Sequence, residues 1–358
     1  MSSDPAGIRC MLMRGGTSKG AFFLSADLPS ETEQRDQLLL QVMGSPDPRQ
    51  IDGVGGAHPL TTKVAIVSPS ERDDIDLEYL FLQVQVDRPA VSDKQNCGNM
   101  LAAVGPFAVE RGLLSPGDGE VSARILMRNT GGVAVATFPV EDGRPRYAGD
   151  TQISGVPGSA SSIVIEFEDI AGSSTGSLLP TGGVVDQITG VEATLIDNGM
   201  PVVVLRAADL GVTGYESCEE LESNHELRDH LERIRLAAGP MMNLGDVETA
   251  TVPKLTLVAP PKEDGAVSTR TFIPHRCHDA IGVLGAVSVA TACLLPGSPA
   301  AAIARVDPGT RVVRLEHPTG TFDATVRMDP EDDTMVLGAG IIRTARKLMD
   351  GTIYPRSY

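Results

Sequence analysis

The sequence predicts an α+β fold of two pseudo-symmetric lobes, each formed by a curved β-sheet wrapped around a central apolar helix. Short alternating segments are typical of strands, and 38 of the 358 residues are glycine, which suits tight turns. Two apolar stretches, 97–109 and 277–289, have the composition of buried helices. Three segments of the first half recur in order in the second half, which indicates a duplicated lobe.

The recurring segments support two lobes because their spacing is nearly constant. They pair residues 20–24 with 201–205, 63–67 with 254–258, and 97–109 with 277–289, at offsets of 181, 191 and 180 residues. Cys97 and Cys277 begin the two apolar stretches, and glycine occupies the ninth position of both. We therefore expect a first lobe over residues 1–182 and a second over 183–340, with residues 341–358 packing back on the first.

The individual elements follow from hydrophobic periodicity and from turn and helix-end residues. In the first lobe, strands are expected at 8–13, 21–24, 63–67, 79–86, 121–127, 133–138 and 163–167. Helices are expected at 35–43 and in the apolar stretch, which ends at Arg111-Gly112. In the second lobe, strands are expected at 191–196, 202–205, 254–258, 270–273, 311–316 and 324–327, with helices at 219–238 and within 280–295 and a closing segment at 341–353.

Charge and composition exclude several classes of function. With a formal net charge of −17, the surface would repel nucleic acid and anionic lipid, and no run of lysine or arginine offsets it. The longest apolar run, 280–295, has 16 residues, whereas a membrane span needs roughly 20. The N-terminus lacks an export-signal pattern, which predicts a cytoplasmic protein, and five cysteines without paired spacing favour reduced thiols. Whether the chain forms a homodimer stays open.

The segment Asn96-Cys97-Gly98-Asn99 is the strongest candidate for a reactive site. A cysteine at a helix N-terminus is favoured as a thiolate by free N–H groups and the helix dipole. Gly98 lets a ligand approach the backbone, and Asn96 and Asn99 supply donors and acceptors for a carboxylate or enolate oxygen. The alternative is a buried cysteine that happens to precede a helix, but this polar setting is unusual for an inert core thiol.

Lys63 follows Thr61 and Thr62 and begins a short apolar strand. A lysine held against such a strand loses its proton more readily through desolvation and can act as a general base. A surface lysine on an edge strand is an equally good interpretation of the sequence.

The glycine-rich loop from Arg14 to Gly20 offers two cations, two hydroxyls and backbone N–H groups. It is not a phosphate-binding P-loop, because Lys19 is followed by glycine rather than by serine or threonine. These groups suit carboxylates, so Arg14, Thr17, Ser18 and Lys19 are candidate substrate ligands. An ordinary hairpin loop is the alternative.

A polar segment before the second apolar helix contains further candidate anion ligands. His275, Arg276 and Cys277 are expected to face a cleft between the lobes, and Thr319 and Gly320 form another polar turn that is a candidate for substrate binding. A metal site is disfavoured because no carboxylate or third histidine follows at a ligand-like spacing.

Several ordered motifs make the chain resemble the PrpF family of Δ-isomerases of aconitate-type acids. The motifs are Met13-Arg-Gly-Gly-Thr-Ser-Lys-Gly20, Asp52-Gly-Val-Gly-Gly56, Asn96-Cys-Gly-Asn99, Leu179-Pro-Thr-Gly182, Ile196-Asp-Asn-Gly-Met-Pro201 and Arg343-Thr-Ala-Arg346. Residues 43–52 and 273–278 further resemble a subgroup that acts on 4-oxalomesaconate in the degradation of gallate and protocatechuate. The resemblance extends essentially from end to end.

The resemblance implies a diaminopimelate epimerase-like fold and an isomerase of a small tricarboxylate that needs no cofactor. It implies that Cys97 is the active-site cysteine and that Lys63 is the acid/base lysine. Epimerases of this fold use two opposed cysteines, and Cys277 would be the second one here. The Gly-Thr-Gly expected after it is replaced by His278-Asp279-Ala280, which favours an isomerase with one base.

The mechanism expected from these residues is proton transfer through a dienolate. Lys63 removes a proton from a carbon next to an unsaturated acid or keto acid, and N–H groups and Asn96 stabilise the intermediate. Reprotonation on oxygen gives a tautomer, and reprotonation on a distant carbon gives an allylic isomer. The alternatives are a methylaconitate-type Δ-isomerase, an epimerase or racemase with two cysteines, and a non-catalytic protein that binds di- and tricarboxylates.

Overall fold

The computed structural model describes residues 6–94, 96–307 and 309–356 and divides them into two compact units. Unit 1 contains the described residues up to Ile165 together with those from Arg343 onward, and unit 2 contains Glu166–Ile342. Each unit combines a β-sheet with helices, which confirms the predicted α+β class. Within the described ranges, no helix has both the length and the apolar character needed to cross a membrane.

The chain alternates long runs of strands with a few helices. Up to residue 167 the elements are β1 (Ile8–Gly15), β2 (Ser18–Leu24), α1 (Thr32–Met43), β3 (Lys63–Pro69), β4 (Leu77–Val84), β5 (Val91–Ser92), α2 (Gly98–Leu101), α3 (Val104–Glu110), β6 (Gly119–Met127), β7 (Val133–Glu141), β8 (Arg144–Pro145) and β9 (Ile163–Phe167). The later elements are β10 (Asp186–Ile188), β11 (Val191–Asp197), β12 (Pro201–Arg206), α4 (Cys218–Ser223), α5 (His225–Met241), β13 (Lys254–Ala259), β14 (Val267–Phe272), α6 (Val283–Leu294), β15 (Val312–His317), β16 (Gly320–Met328), β17 (Val336–Arg343) and β18 (Ala345–Ile353).

The two units repeat one sheet topology. In unit 1 the strands neighbour one another in the order β18, β1, β2, β3, β4, β6 and β7. In unit 2 the corresponding order is β10, β11, β12, β13, β14, β15 and β16. In both series the successive pairings are antiparallel, antiparallel, parallel, antiparallel, parallel and antiparallel. The duplication inferred from three short sequence matches is therefore visible as a repeated topology.

An apolar helix packs against one face of each sheet. In unit 1, α2 and α3 contact β1, β2, β3 and β7, and in unit 2, α6 contacts β11, β12, β15 and β16. Because these helices contact strands near both ends of the strand order on one face, each sheet must curve around them. The other face is covered by α1 in unit 1 and by α5 in unit 2, with buried leucines at both contacts.

The two apolar helices begin differently, and the expected equivalence of Cys97 and Cys277 does not hold. Cys97 is the N-cap of α2. In unit 2 the N-cap of α6 is Gly282. Cys277 lies before it, in a turn that extends β14 through an isolated bridge to Phe272. The backbone groups around Cys277 are therefore used in strand-like pairing and cannot start the helix.

The boundary between the units falls after residue 165, earlier than the boundary expected at residue 182. Asp197 at the end of β11 holds residues 166–182 in unit 2. Its carboxylate accepts hydrogen bonds from the N–H groups of Ser174 and Thr175, at 2.8 and 3.0 Å, and its own N–H donates to the Leu178 carbonyl at 2.9 Å. The last strand, β18, pairs with β1 and belongs to unit 1.

Candidate active site

Unit 1 brings a lysine and a cysteine together on the helix-facing side of its sheet. Lys63 is the first residue of β3, and Cys97 directly precedes α2, whose first residue is Gly98. The Nζ atom of Lys63 lies 3.6 Å from the Sγ atom of Cys97, although the two residues are 34 positions apart. The lysine is 7% exposed, and its Nζ lies 5.0 Å from the centre of the Phe81 ring.

Strand alternation and one glycine position Lys63. Val64 and Ile66 belong to the core beneath α1, so Lys63, which has the opposite parity, points to the other face, toward α2. Its register partner in β2 is Gly20. A methyl group at Gly20 would overlap the Lys63 carbonyl and the Met100 side chain, so glycine is needed for β3 and α2 to approach this closely.

The Lys63 ammonium group has an unusual environment for a structural residue. Its contacts are the Cys97 thiol and the Phe81 ring, and among the described residues no carboxylate lies within ion-pair distance. A buried cation is normally paired with an acid, because removing an unpaired charge from water is costly. A nearly buried lysine without such a partner is typical of an acid/base residue that exchanges a proton with a ligand.

Tyr79, which the sequence analysis did not identify, holds the backbone of Cys97 in place. Its hydroxyl donates to the Cys97 carbonyl at 3.3 Å, and the same carbonyl accepts the N–H of Leu101 at 3.0 Å. Burial and the nearby Cys97 thiol raise the pKa of Tyr79 well above its ordinary value, so it stays a hydrogen-bond donor. The alternation of β4, which puts Tyr79 and Phe81 on one face, was the signal that could have found it.

The glycine-rich loop packs against the first turn of α2. Asn99 donates from Nδ2 to the Thr17 hydroxyl at 3.1 Å, and its Oδ1 accepts from Nε of Arg343 at 3.1 Å. A methyl group at Gly16 would overlap that amide oxygen. Asn99 and Thr17, both expected to bind substrate, are therefore bonded to each other. Arg343 is a positioning residue whose role the sequence could not show.

Two buried polar atoms near the lysine and cysteine have no hydrogen-bond partner among the described residues. They are the hydroxyl of Ser18 and Oδ1 of Asn96. Ser18 is 1% exposed and, two residues before Gly20, lies on the lysine-bearing face of the sheet. The Nδ2 of Asn96 is occupied by Thr130, whose hydroxyl lies 2.6 Å away. Because an unsatisfied buried polar atom costs about 1–3 kcal/mol, the Ser18 hydroxyl is well suited to bind a substrate oxygen and the Asn96 Oδ1 to accept from a substrate O–H group.

Arg14 and Lys19 are not brought onto the face that carries Lys63. They are register partners across β1 and β2, and Lys19 is adjacent to Gly20, so alternation directs both to the opposite face. The expectation that both side chains meet the substrate beside Lys63 therefore finds no support in the strand geometry.

Arg14 instead lines a positively charged cavity of about 290 Å³ together with Arg346. Its Nη1 atom donates to the carbonyls of Gly16 and Thr344 and to the Thr344 hydroxyl, at distances of 2.9 to 3.1 Å. Burial and the charge of Arg346 lower the pKa of Arg14. The bonds of Nη1 fix the loop to the last strand, which is a structural role.

The candidate ligands of the second lobe lie in unit 2, in the turn after β14. His275 and Arg276 are exposed, and their side-chain nitrogens lie 3.6 Å from Glu232 and 3.8 Å from Glu222. Cys277 is nearly buried. Because two acids face the two basic residues, this turn is less suited to an anion than the sequence indicated.

Thr319 and Gly320 connect β15 to β16. The Thr319 hydroxyl donates to the Asp279 carbonyl at 2.7 Å and so holds the segment before α6. Burial lowers the pKa of His278 and of His317 nearby, which favours their neutral forms. In the part of the chain that the structure describes, no group of three or more potential metal ligands is present.

Comparison with known proteins identifies relatives over nearly the whole chain. A family model described as "PrpF protein" matches residues 6–356. The chain is 60% identical over 346 residues to the (4E)-oxalomesaconate Delta-isomerase of Novosphingobium sp. (strain KA1), covering 96% of both chains. It is 56% identical over 347 residues to the 4-oxalomesaconate tautomerase of Pseudomonas putida, covering 97% of this chain and 95% of the relative.

A solved structure confirms the fold. The crystal structure of a methylitaconate-delta-isomerase superimposes with a TM-score of 0.90 at 33% identity, covering 99% of this chain and 96% of the other. The predicted diaminopimelate epimerase-like class is thereby confirmed.

Proposed function

The chain belongs to the PrpF family, and we propose that it is an isomerase that moves a proton within 4-oxalomesaconate. The observation that carries this proposal is the 3.6 Å contact between the nitrogen of the nearly buried Lys63 and the Cys97 thiol. Two groups that can each give and take a proton, in direct contact, suit such a reaction.

The arrangement supports proton removal by Lys63. Because no carboxylate among the described residues pairs with its Nζ, the lysine is not committed to a salt bridge, and in its neutral amine form it can accept a proton from a carbon next to the keto or carboxyl group. The electrons released form a dienolate. Cys97, in contact with Nζ, is placed to donate a proton to the other end of the conjugated system and then to take up the proton held by Lys63, which restores both groups.

The unpaired polar atoms near this pair support recognition of the substrate's oxygens. The Ser18 hydroxyl can donate to a carboxylate or enolate oxygen, whereas the Asn96 Oδ1 can only accept, as from an enol O–H group. The Ser18 hydroxyl is held in place before a ligand arrives, so it can stabilise developing negative charge without reorganisation. These features suit a keto acid with several carboxylates.

The position of Cys277 in unit 2 favours an isomerase rather than an epimerase that uses two cysteines. A second thiol is expected at the N-terminus of α6, but Gly282 occupies that position and Cys277 is buried beside another cysteine. Cys277→Ser should therefore retain activity on oxalomesaconate, whereas a two-thiol epimerase would be inactivated by it.

The test is an absorbance assay with purified 4-oxalomesaconate, since the conjugated enol, the keto acid and the allylic isomer differ in ultraviolet absorbance. Proton NMR of the product then distinguishes a tautomer from a shifted double bond. We expect wild type to convert the acid and Lys63→Ala to lose most turnover while keeping the fold. Binding of tricarboxylates without any conversion would instead indicate a non-catalytic binding protein. The family's place in gallate and protocatechuate degradation and a cytoplasmic location are part of this proposal.

A further inference from the structure

Unit 2 holds two thiols in direct contact. The Sγ atom of Cys218, the first residue of α4, lies 3.0 Å from the Sγ atom of Cys277 in the turn after β14, and the residues are 59 positions apart. Both are free thiols. A disulfide needs an S–S distance of about 2.05 Å, so the sulfurs have to move together by only about 1 Å.

The contact is fixed from both sides by the surrounding backbone. The N–H of Cys277 donates to the carboxylate of Glu222 in α4 at 2.9 Å. The Cys218 sulfur also lies 3.6 Å from the His278 carbonyl. The next part of the turn is held by Thr319, which bonds to the carbonyl of Asp279. The two sulfurs therefore stay in contact without large changes of either segment.

We propose that Cys218 and Cys277 form an oxidation site that hydrogen peroxide converts into a disulfide. Cys218 is the half-buried member and reacts first: its thiolate and one proton consume hydrogen peroxide and yield a sulfenic acid and water. The sulfur of Cys277 then attacks the sulfenic sulfur, forming the S–S bond and releasing a second water. Two thiols are oxidised and one peroxide is reduced, and a dithiol reductant reverses the change.

The other three cysteines lack a partner for this reaction. Burial raises the pKa of Cys10 to about 12 and that of Cys293 to about 12, which keeps both as unreactive thiols. Cys97 is in contact with Lys63 rather than with a thiol, so its oxidation stops at the sulfenic acid or proceeds to irreversible products. Burial also raises the pKa of Cys277, which leaves the half-buried Cys218 as the thiol that peroxide oxidises first.

The disulfide would join α4 to the turn after β14 and close a loop that contains α5, β13 and β14. Such a link restricts the unfolded chain, so the oxidised protein should unfold at a higher temperature than the reduced protein. This property does not depend on the proposed isomerase reaction, and each can fail without the other.

The experiment compares reduced and peroxide-treated wild type after alkylation of free thiols and proteolysis. We expect one linked peptide pair containing Cys218 and Cys277, 2 Da lighter than the two separate peptides (two hydrogens lost). The melting temperature should rise, and a dithiol reductant should reverse both changes. Phenylarsine oxide, which needs two adjacent thiols, should bind the reduced protein once and protect the pair.

Two variants keep this test decisive. Cys218→Ser should give no linked peptide and no rise in melting temperature, whereas the control Cys97→Ser should retain both. Circular dichroism of Cys218→Ser verifies that it folds. Peroxide-treated wild type without the linked peptide would overturn the proposal, as would an equal rise in melting temperature in Cys218→Ser.

Discussion

Replacing Lys63 by methionine should remove activity and at the same time preserve or increase stability. Methionine has nearly the same length, so the space between Phe81 and Cys97 stays filled. Loss of a placed acid/base group lowers turnover by about 10²–10⁴-fold. At about 1.36 kcal/mol per factor of ten, this corresponds to roughly 2.7–5.4 kcal/mol of transition-state stabilisation.

The stability effect has the opposite sign because the lysine is nearly buried without an acid partner among the described residues. The variant loses the contact with the Phe81 ring, about 0.5–2 kcal/mol, and a weak hydrogen bond to sulfur, about 1 kcal/mol. It also avoids the desolvation of an ammonium group, which costs several kcal/mol. We therefore expect an unfolding free energy between that of wild type and about 2 kcal/mol above it.

The duplicated topology supplies a matched control in Lys254. Like Lys63, it begins the strand at the fourth position in the strand order of its unit, but its ammonium group donates to the Thr251 carbonyl at 2.5 Å. Lys254→Met should retain turnover and lose about 1 kcal/mol of stability. Absorbance kinetics and urea unfolding followed by circular dichroism measure both effects. Near-normal turnover in Lys63→Met would show that the lysine is not the base, and a loss of more than about 2 kcal/mol of stability would show that burying its charge is not costly.

Three further predictions test the surroundings of the site and the closing strand. Tyr79→Phe removes the hydrogen bond to the Cys97 carbonyl, so urea unfolding should show a loss of about 1 kcal/mol and kinetics a several-fold lower turnover. Gly16→Ala has to accommodate a φ of +50° and an overlap with the Asn99 amide, so thermal unfolding should show a stability loss of about 1–3 kcal/mol. Two hydrogen bonds from the Arg111 guanidinium hold the pKa of Asp350 below its ordinary value of 3.8. The stability that this ion pair contributes is therefore present above pH 3.8 and is lost as the pH falls through the lower pKa of the folded protein. The stability difference between wild type and Asp350→Asn should be at most about 1 kcal/mol at pH 7 and should vanish in urea titrations at low pH.

Much of the fold was predictable because its signals are local and repeated. The alternation of the strands and the two apolar stretches predict a sheet around a helix, and the second copy of the pattern predicts the second unit. The helix predicted within 280–295 is present as α6, but the place of Cys277 in a turn before it was not predictable. A match of single cysteines could not show that Cys277 pairs with Phe272 in a turn, while the helix begins after Gly282.

The site was predictable to the extent that its residues are reactive types in polar surroundings. Cys97 was identified from its own neighbours, whereas Lys63 depended on the family resemblance. Tyr79 and Arg343 could not be found in this way, because their roles arise from contacts across 18 and 244 residues of sequence. For the same reason, scattered spacing concealed the contact between Cys218 and Cys277.

Lys63 and Cys97 should act as one acid/base unit on 4-oxalomesaconate, and a double-mutant cycle measures whether they do. Turnover is measured by absorbance for wild type, Lys63→Met, Cys97→Ser and the double variant. Groups that act as a unit have non-additive effects, so the double variant should be about as slow as the slower single variant. If the loss of turnover in the double variant equals the product of the two single losses, the two residues act independently. If both single variants keep near-normal turnover, neither residue is the acid/base group.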